Sequence, residues 1–480
     1  MKHVLLKILQ YGIFVSVSLA TLLALVVAVE NFRARCAWES YRRDQEARGN
    51  RLDIKAIIPP PVPDDQNFAT TPLLRPLFPD GQPYASDLGK KLDIAHPGDN
   101  SRIEPRLGNR ASRKRFKIEE WRAFFDGRDV LAALGKFDPE LREISAASRR
   151  PYARFPVAYE KSFFAPFPHV SILMKLAKIY ALRASAGLQE RREDASLADA
   201  QTIFKISESV KDEPALISLL VGGAVCDRGL QVVWEGLEDH RWTDAQLLAL
   251  EDALQRIDFL KGVTLAFRGE RTFYSETLLS WVAKPEQMAK AMEGVGEPEQ
   301  LTLKYTPRAV IYRNLIAANR ELETFLLSVD PEAHRVFPAR VREVGESLID
   351  GAYLQFFKRC GLTVPNPYTI LTKMCMPAFL QATQRAASFQ TSTDEAVIAC
   401  ALERFRLANG QYPDALEKLS PSFLQKIPRD VMTGEMLHYR PTNDGKFLLY
   451  SVGMNGSDDG GKVVLKANGS VDLSQGDWVW

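Results

Sequence analysis

The sequence predicts a mainly α-helical protein with an N-terminal transmembrane helix, an irregular helical-hairpin array and a small C-terminal α+β domain. Three observations predict it. Ile8 to Val29 contains no charged residue. Apolar side chains recur at helical spacing from about residue 117 to 390. Beyond Gly410, short apolar runs alternate with glycine-containing turns.

Composition sets the frame. The chain has 480 residues, 46% apolar and 25% charged, with 62 basic against 60 acidic side chains and a net charge of +2. These values exclude a disordered tail protein, a collagen-like rod and a polytopic transporter. At roughly 100–200 residues per domain there is room for several cores. Near-neutral charge gives no overall attraction to nucleic acid, and none is expected as a partner.

The uncharged run Ile8–Val29 comes first. As a helix rising about 1.5 Å per residue it reaches about 33 Å, enough for a bilayer core. A cleaved secretory signal has a shorter apolar core of about 7–15 residues. Val27-Ala28-Val29-Glu30 also makes a poor small-x-small cleavage site, so the run reads as an uncleaved signal anchor. Lys2 and Lys7 stand on one side, Arg33, Arg35, Arg42 and Arg43 on the other, and this balance gives no clean positive-inside vote. A short leading tail before a single helix favours a body outside the cytoplasm. Cys36 follows Arg33-Ala34-Arg35, which is no lipoprotein signal.

Residues 31–116 read as a charged and proline-rich linker. Its first part continues the anchor as an exposed helix. Pro59-Pro60-Pro61-Val62-Pro63 then begins an extended, partly polyproline II stretch that can lie against the body. Its end is basic, with Arg106, Arg110, Arg113, Lys114, Arg115 and Lys117, and reads as a solvated face.

Residues 117–376 form the expected helical domain. Leu173, Leu176, Ile179, Tyr180 and Leu182 crowd one helix face. Asp212-Glu213-Pro214 is expected to open another helix with proline at its first position. Its apolar run Ala215–Val225 is too short to span a membrane and reads as buried core. Thr243-x-x-Gln246 forms a capping box before Leu247, Leu250, Leu254 and Ile257. Ile311, Leu315, Leu322 and Phe325 repeat the stripe. No fixed repeat period holds.

Residues 377–480 form the α+β domain. Its helix either starts at a Ser392-x-x-Glu395 cap or, as favoured, runs unbroken from about Pro377; it stops at Asn409-Gly410. Asn443-Asp444-Gly445 between Leu437–Arg440 and Phe447–Val452 signals a hairpin. Val463–Leu465 and Trp478-Val479-Trp480 can add strands.

Three segments of this domain carry a family likeness: Ala401 to Pro413 (ALERFRLANGQYP), Ile427-Pro428-Arg429-Asp430, and Leu448-Leu449-Tyr450-Ser451-Val452-Gly453. With Asn455-Gly456-Ser457-Asp458-Asp459-Gly460-Gly461 after them, they resemble the C-terminal domain of the type II secretion major pseudopilin. The likeness covers roughly the last fifth of the chain. It implies a helix ending in R-x-x-x-G-x-Y-P beside a small antiparallel sheet. It also implies a calcium ion held by Asn455, Ser457, Asp458 and Asp459; read from residue types alone, the same loop is a polar turn with no cofactor. The pseudopilin leader, cut after glycine, has no counterpart here, and about 350 residues separate the apolar helix from this domain. The whole layout also resembles bacterial membrane-anchored envelope proteins with an anchor, a helical body and this ending, which implies the inner membrane with a periplasmic body.

No catalytic motif stands out. The histidines His3, His96, His169, His240, His334 and His438 form no H-E-x-x-H pair. Gly345-Glu346-Ser347 lacks the second glycine of a nucleophile elbow, since Ile349 stands there. The five cysteines show no C-x-x-C spacing; Cys360 and Cys375 could pair, while Cys226, Cys375 and Cys400 suit apolar helix faces. The expected function is a membrane-anchored scaffold or binding module with protein partners. A secretion or pilus-assembly accessory and an envelope hydrolase are the alternatives.

Overall fold

A computed structural model describes residues 2–78, 82–94, 114–284, 286, 306–350 and 366–480. It is mainly helical with a small C-terminal sheet region. The chain divides into two compact units. The first comprises Met1–Ile57, Arg271–Thr324 and Glu343–Ala378; the second comprises Ile58–Glu270, Phe325–Arg342 and Phe379–Trp480. Each unit thus draws on segments far apart in sequence.

In the first unit, α1 runs from Lys2 to Ala47. An unbroken helix is what an uncharged run followed by good helix formers dictates. Its continuation is not exposed all round, however. Ala34, Trp38 and Gln45 are buried on one face. The unit also contains parts of α10 (Phe259–Ala283), α11 (Arg308–Leu327), α12 (Pro338–Asp350) and α13 (Ile370–Asn409). Asn314 of α11 fixes the start of α13: its Oδ1 accepts from Leu371 N at 2.9 Å and Thr372 N at 3.3 Å. Its Nδ2 donates to the carbonyls of Val310 and Pro367. Helix α13 passes through Pro377 without a break, so Ser392 does not cap a helix start.

The second unit holds α2 (Gln82–Lys91), α3 (Ile118–Phe124), α4 (Val130–Leu134), α5 (Asp138–Ala147), α6 (Pro168–Gln189), α7 (Glu193–Glu208), α8 (Leu216–Glu238) and α9 (Asp244–Leu254). Helices α6, α7 and α8 pack against one another, with α9 on α7 and α2 and α4 on α6. The α6 stripe Leu173, Leu176, Ile179 and Tyr180 is fully buried. The capping box of α9 forms, Thr243 and Gln246 each accepting from the other's backbone. The proline-rich stretch is more embedded than an extended linker, since Phe68, Leu74 and Leu77 are fully buried.

Helix α8 departs from expectation at both ends. Pro214 lies outside it, and Ala215 is its extended N-cap. The reason is tertiary: the Leu216 N–H is taken by Glu270 Oε1 at 2.8 Å. The helix then runs on to Glu238, well past Val225. By length and apolarity alone it could cross a membrane, yet most of its apolar window is buried inside the unit. Core burial, the expected role, holds for a longer helix.

At the C-terminus, β3 (His438–Pro441) pairs antiparallel with β4 (Phe447–Ser451), with His438 opposite Tyr450. Gly445 takes φ +77° in the turn between them, a conformation that favours glycine. Strand β7 (Trp478–Val479) adds to the other edge of β4. Strands β5 (Val463–Leu465) and β6 (Val471–Gly476) form a separate pair. Neither β6 nor the pair β1 (Val329–Asp330) and β2 (Arg335–Val336) was expected; β1 and β2, at two residues each, are too short for a period-2 pattern to show.

Candidate functional site

The first candidate is the anchor with its seat. From Lys7 to Val26 every side chain of α1 is exposed. In the same helix, Gln45 Oε1 accepts from the buried Arg271 guanidinium at 2.7 Å, and the Tyr41 hydroxyl lies 3.1 Å from it. Arg271 Nε donates to Asn319 Oδ1 at 2.8 Å, and Asn319 donates to Ser275 Oγ. Further up the helix, Asn31 Oδ1 accepts from Ala309 N at 2.7 Å. Burial, outweighing the nearby Arg271 charge, pushes the Tyr41 hydroxyl pKa upward, so Tyr41 stays neutral. The seat therefore gives the guanidinium neutral oxygen partners, a geometry that fixes the rotation of α1 about its own axis.

The second is the loop after β4. All four residues expected to hold calcium lie in it, and side-chain oxygens of Asn455, Asp458 and Asp459 accept hydrogen bonds from protein groups. Asp458 Oδ1 accepts from the Tyr450 hydroxyl at 2.9 Å and Gly460 N at 2.9 Å, and its Oδ2 lies 3.4 Å from His438 Nδ1. Those bonds, the Gly460 one first, hold the Asp458 carboxyl below its usual range. Asp459 accepts from Asn455 Nδ2 at 3.0 Å, and Asn455 Oδ1 accepts from Ser457 N at 3.2 Å. The residue that organises the loop is Asp477, which the sequence did not single out. It is fully buried and accepts from Asp459 N and Gly461 N, the latter at 2.7 Å. Among the described residues, no three His, Cys, Asp or Glu side chains are grouped to hold a metal.

Of the three segments that carry the family likeness, the second is bonded to the third and the first is bonded chiefly within itself. Glu403 accepts a bidentate pair from Arg406 at 2.8 and 2.6 Å and the Tyr412 hydroxyl at 2.7 Å. It also contacts His240 Nδ1 at 2.8 Å. Burial works against its charge, but these bonds outweigh it and lower the Glu403 pKa. Asp430 accepts from Met432 N and Val452 N, tying the second segment to the third. The Tyr439 hydroxyl donates to Pro413 O.

Two further acid–histidine pairs were invisible in the sequence. His169, Glu213 and Ser218 form a chain in which the carboxylate is central: Ser218 Oγ donates to Glu213, and His169 Nε2 lies 2.9 Å from it. An imidazole separated from the hydroxyl by a carboxylate does not take the hydroxyl proton. Both His169 and Ser218 are sealed from solvent, so the chain reads as structural. His334 Nε2 lies 2.9 Å from the buried Asp394, which also accepts from Gln390. The carboxylate orients the imidazole. No Ser, Thr or Cys among the described residues hydrogen-bonds the His334 side chain. The hydrogen bond to Asp394 raises the His334 pKa.

Cys226 and Cys400 are buried within α8 and α13, as expected of core cysteines. Cys360 lies outside the described residues, and the Cys360–Cys375 pairing with it. Arg106, Arg110 and Arg113 also lie outside them. No protein-family model, no curated protein and no solved structure matches the chain.

Proposed function

We propose that the chain is a single-pass, membrane-anchored envelope protein that acts as a scaffold or binding module. One observation carries this reading: α1 is exposed and apolar over its first half and held by the Arg271 seat in its second. A helix of that kind satisfies its own backbone in lipid while its polar end is locked to protein. The body belongs on the periplasmic side of a bacterial inner membrane. Reporter enzymes fused after Trp480 test this. Activity of a reporter that works only outside the cytoplasm supports it; activity of a cytoplasm-only reporter overturns the periplasmic placement.

A second reading, an accessory of a type II secretion or pilus-like system, is favoured by the Glu403–Tyr412 bond within the first likeness segment and the Asp430–Val452 bond between the second and third. Cross-linking in intact cells followed by purification from membranes tests it. Recovery of pseudopilins or their assembly proteins supports the accessory role, and their absence counts against it. Calcium offers an independent check. A calcium-dependent rise in unfolding midpoint, lost with Asp458→Asn and Asp459→Asn, supports the implied ion. An unchanged midpoint supports the polar-turn reading.

A further inference from the structure

In the second unit, the C-terminal end of α5, one face of α7 and the chain just after α9 enclose a groove of about 320 Å³. That volume corresponds to about ten water molecules and sits at the lower end of small-ligand sites, about 300–1,000 Å³. Three cationic side chains line it, each from a different element: Arg149 after α5, Lys205 on α7 and Arg256 after α9. One carboxylate, Glu208, faces the same space. It is already neutralised, lying 2.6 Å from Lys211 and 3.4 Å from Lys205. Burial opposes its charge, but these lysines prevail and lower the Glu208 pKa, so it stays ionised and paired.

The arginines are not matched in this way. Among the described residues neither Arg149 nor Arg256 has a carboxylate within ion-pair distance. Arg256 commits only Nε, which donates to Asp252 O at 3.0 Å, and both its terminal nitrogens are left for another acceptor. The hydroxyls of Ser148 and Thr202 donate to the carbonyls of Ser145 and Ala198. The groove's unengaged donors are therefore the Arg149 guanidinium, the terminal nitrogens of Arg256 and the exposed Gln201 amide, while Lys205 is shared with Glu208. Phe204 supplies an apolar wall.

We propose that this groove binds a phosphorylated small molecule, with the phosphoryl group between Arg149, Lys205 and Arg256 and the organic part against Phe204. A tetrahedral oxyanion presents several acceptor oxygens in different directions, which suits donors arriving from three elements; guanidinium groups add paired, charge-assisted hydrogen bonds. The groove carries an excess of positive charge that its own carboxylate does not cancel, and a dianion supplies the missing charge. This reading goes beyond membrane anchoring and does not depend on it.

The test uses the full chain in uncharged detergent at about 0.15 M salt, where charges beyond about 8 Å are screened. Inorganic pyrophosphate and glycerol 3-phosphate are titrated by calorimetry, and mixed micelles containing phosphatidic acid form a separate arm. Saturable binding of either soluble probe is expected, weakened at least tenfold in Arg149→Gln/Arg256→Gln. Arg149→Gln alone serves as a second variant; its side chain is exposed, so an unchanged unfolding midpoint with weakened binding locates the loss in the groove. Binding to phosphatidic acid alone overturns the soluble-ligand assignment. Absence of saturable binding, or equal binding by the double variant, overturns the site.

Discussion

Glu270 shows how one carboxylate serves a helix that begins 54 residues earlier. It satisfies the first N–H of α8, where four backbone donors lack partners within the helix. Burial pushes its pKa from about 4.5 up to about 7, against the pull of the Leu216 N–H. The sign of the pH effect follows. Between these values the unfolded chain has released the proton and the folded chain still holds it, so this residue's contribution falls as pH rises from about 4.5 to about 7. Above that window it is flat. Glu270→Gln keeps an acceptor for Leu216 and removes the titration. Unfolding midpoints measured from pH 4.5 to 8 are expected to fall less steeply in the variant than in the parent; parallel curves would show the carboxyl to be unperturbed. Nothing in Gly269-Glu270-Arg271 announces this role in sequence, because the partner is distant. The same holds for Glu403, whose His240 contact spans 163 residues.

At the scale of elements, Gly269 of α10 lies against Pro214 in the chain that enters α8. A Cβ added at Gly269 would overlap the Pro214 carbonyl oxygen, so only glycine permits this approach. Gly269→Ala must displace backbone, and a loss of about 3 kcal/mol in denaturant unfolding is expected. A loss below about 0.5 kcal/mol would mean the contact yields without cost. In the first unit, Asn314 holds the start of α13 with three hydrogen bonds from a fully buried side chain. Asn314→Ala strands the Leu371 and Thr372 N–H groups and the Pro367 carbonyl; about 2–4 kcal/mol is expected to be lost, with faster hydrogen exchange at Leu371 and Thr372. Local signals did locate several elements. The Thr243 box, the Asn409-Gly410 stop and the Asp444-Gly445 hairpin all stand where short-range rules put them. The entry to α8 did not, because Pro214 suits a first helical position locally while Glu270 and Gly269 impose an extended Ala215.

For the molecule as a whole, the anchor supplies the most direct test. Leu19 and Leu22 lie in the exposed apolar half of α1. An arginine near the centre of a spanning helix costs about 2.5–3.5 kcal/mol by insertion scales. Leu19→Arg/Leu22→Arg is expected to move the chain from the carbonate-resistant membrane fraction to the soluble or degraded pool. Retention in the membrane pellet at parental levels would point to attachment elsewhere in the chain.

The sequence by itself determined what depends on neighbours along the chain: the uncharged 22-residue run, the buried stripes of α6 and α9, the helix stop at Gly410 and the β3–β4 turn. Hydrophobic periodicity and turn chemistry act over a few residues, so they are written locally. Tertiary structure alone decided the polar partnerships. Gln45 and Arg271 are 226 residues apart, and Asp477 organises a loop 16 residues before it. It also decided that Ala34, Trp38 and Gln45 face protein, and that Arg149, Lys205 and Arg256 share one groove. A hydrogen bond or ion pair needs atoms within a few ångströms, and for distant residues only the folded chain sets that distance.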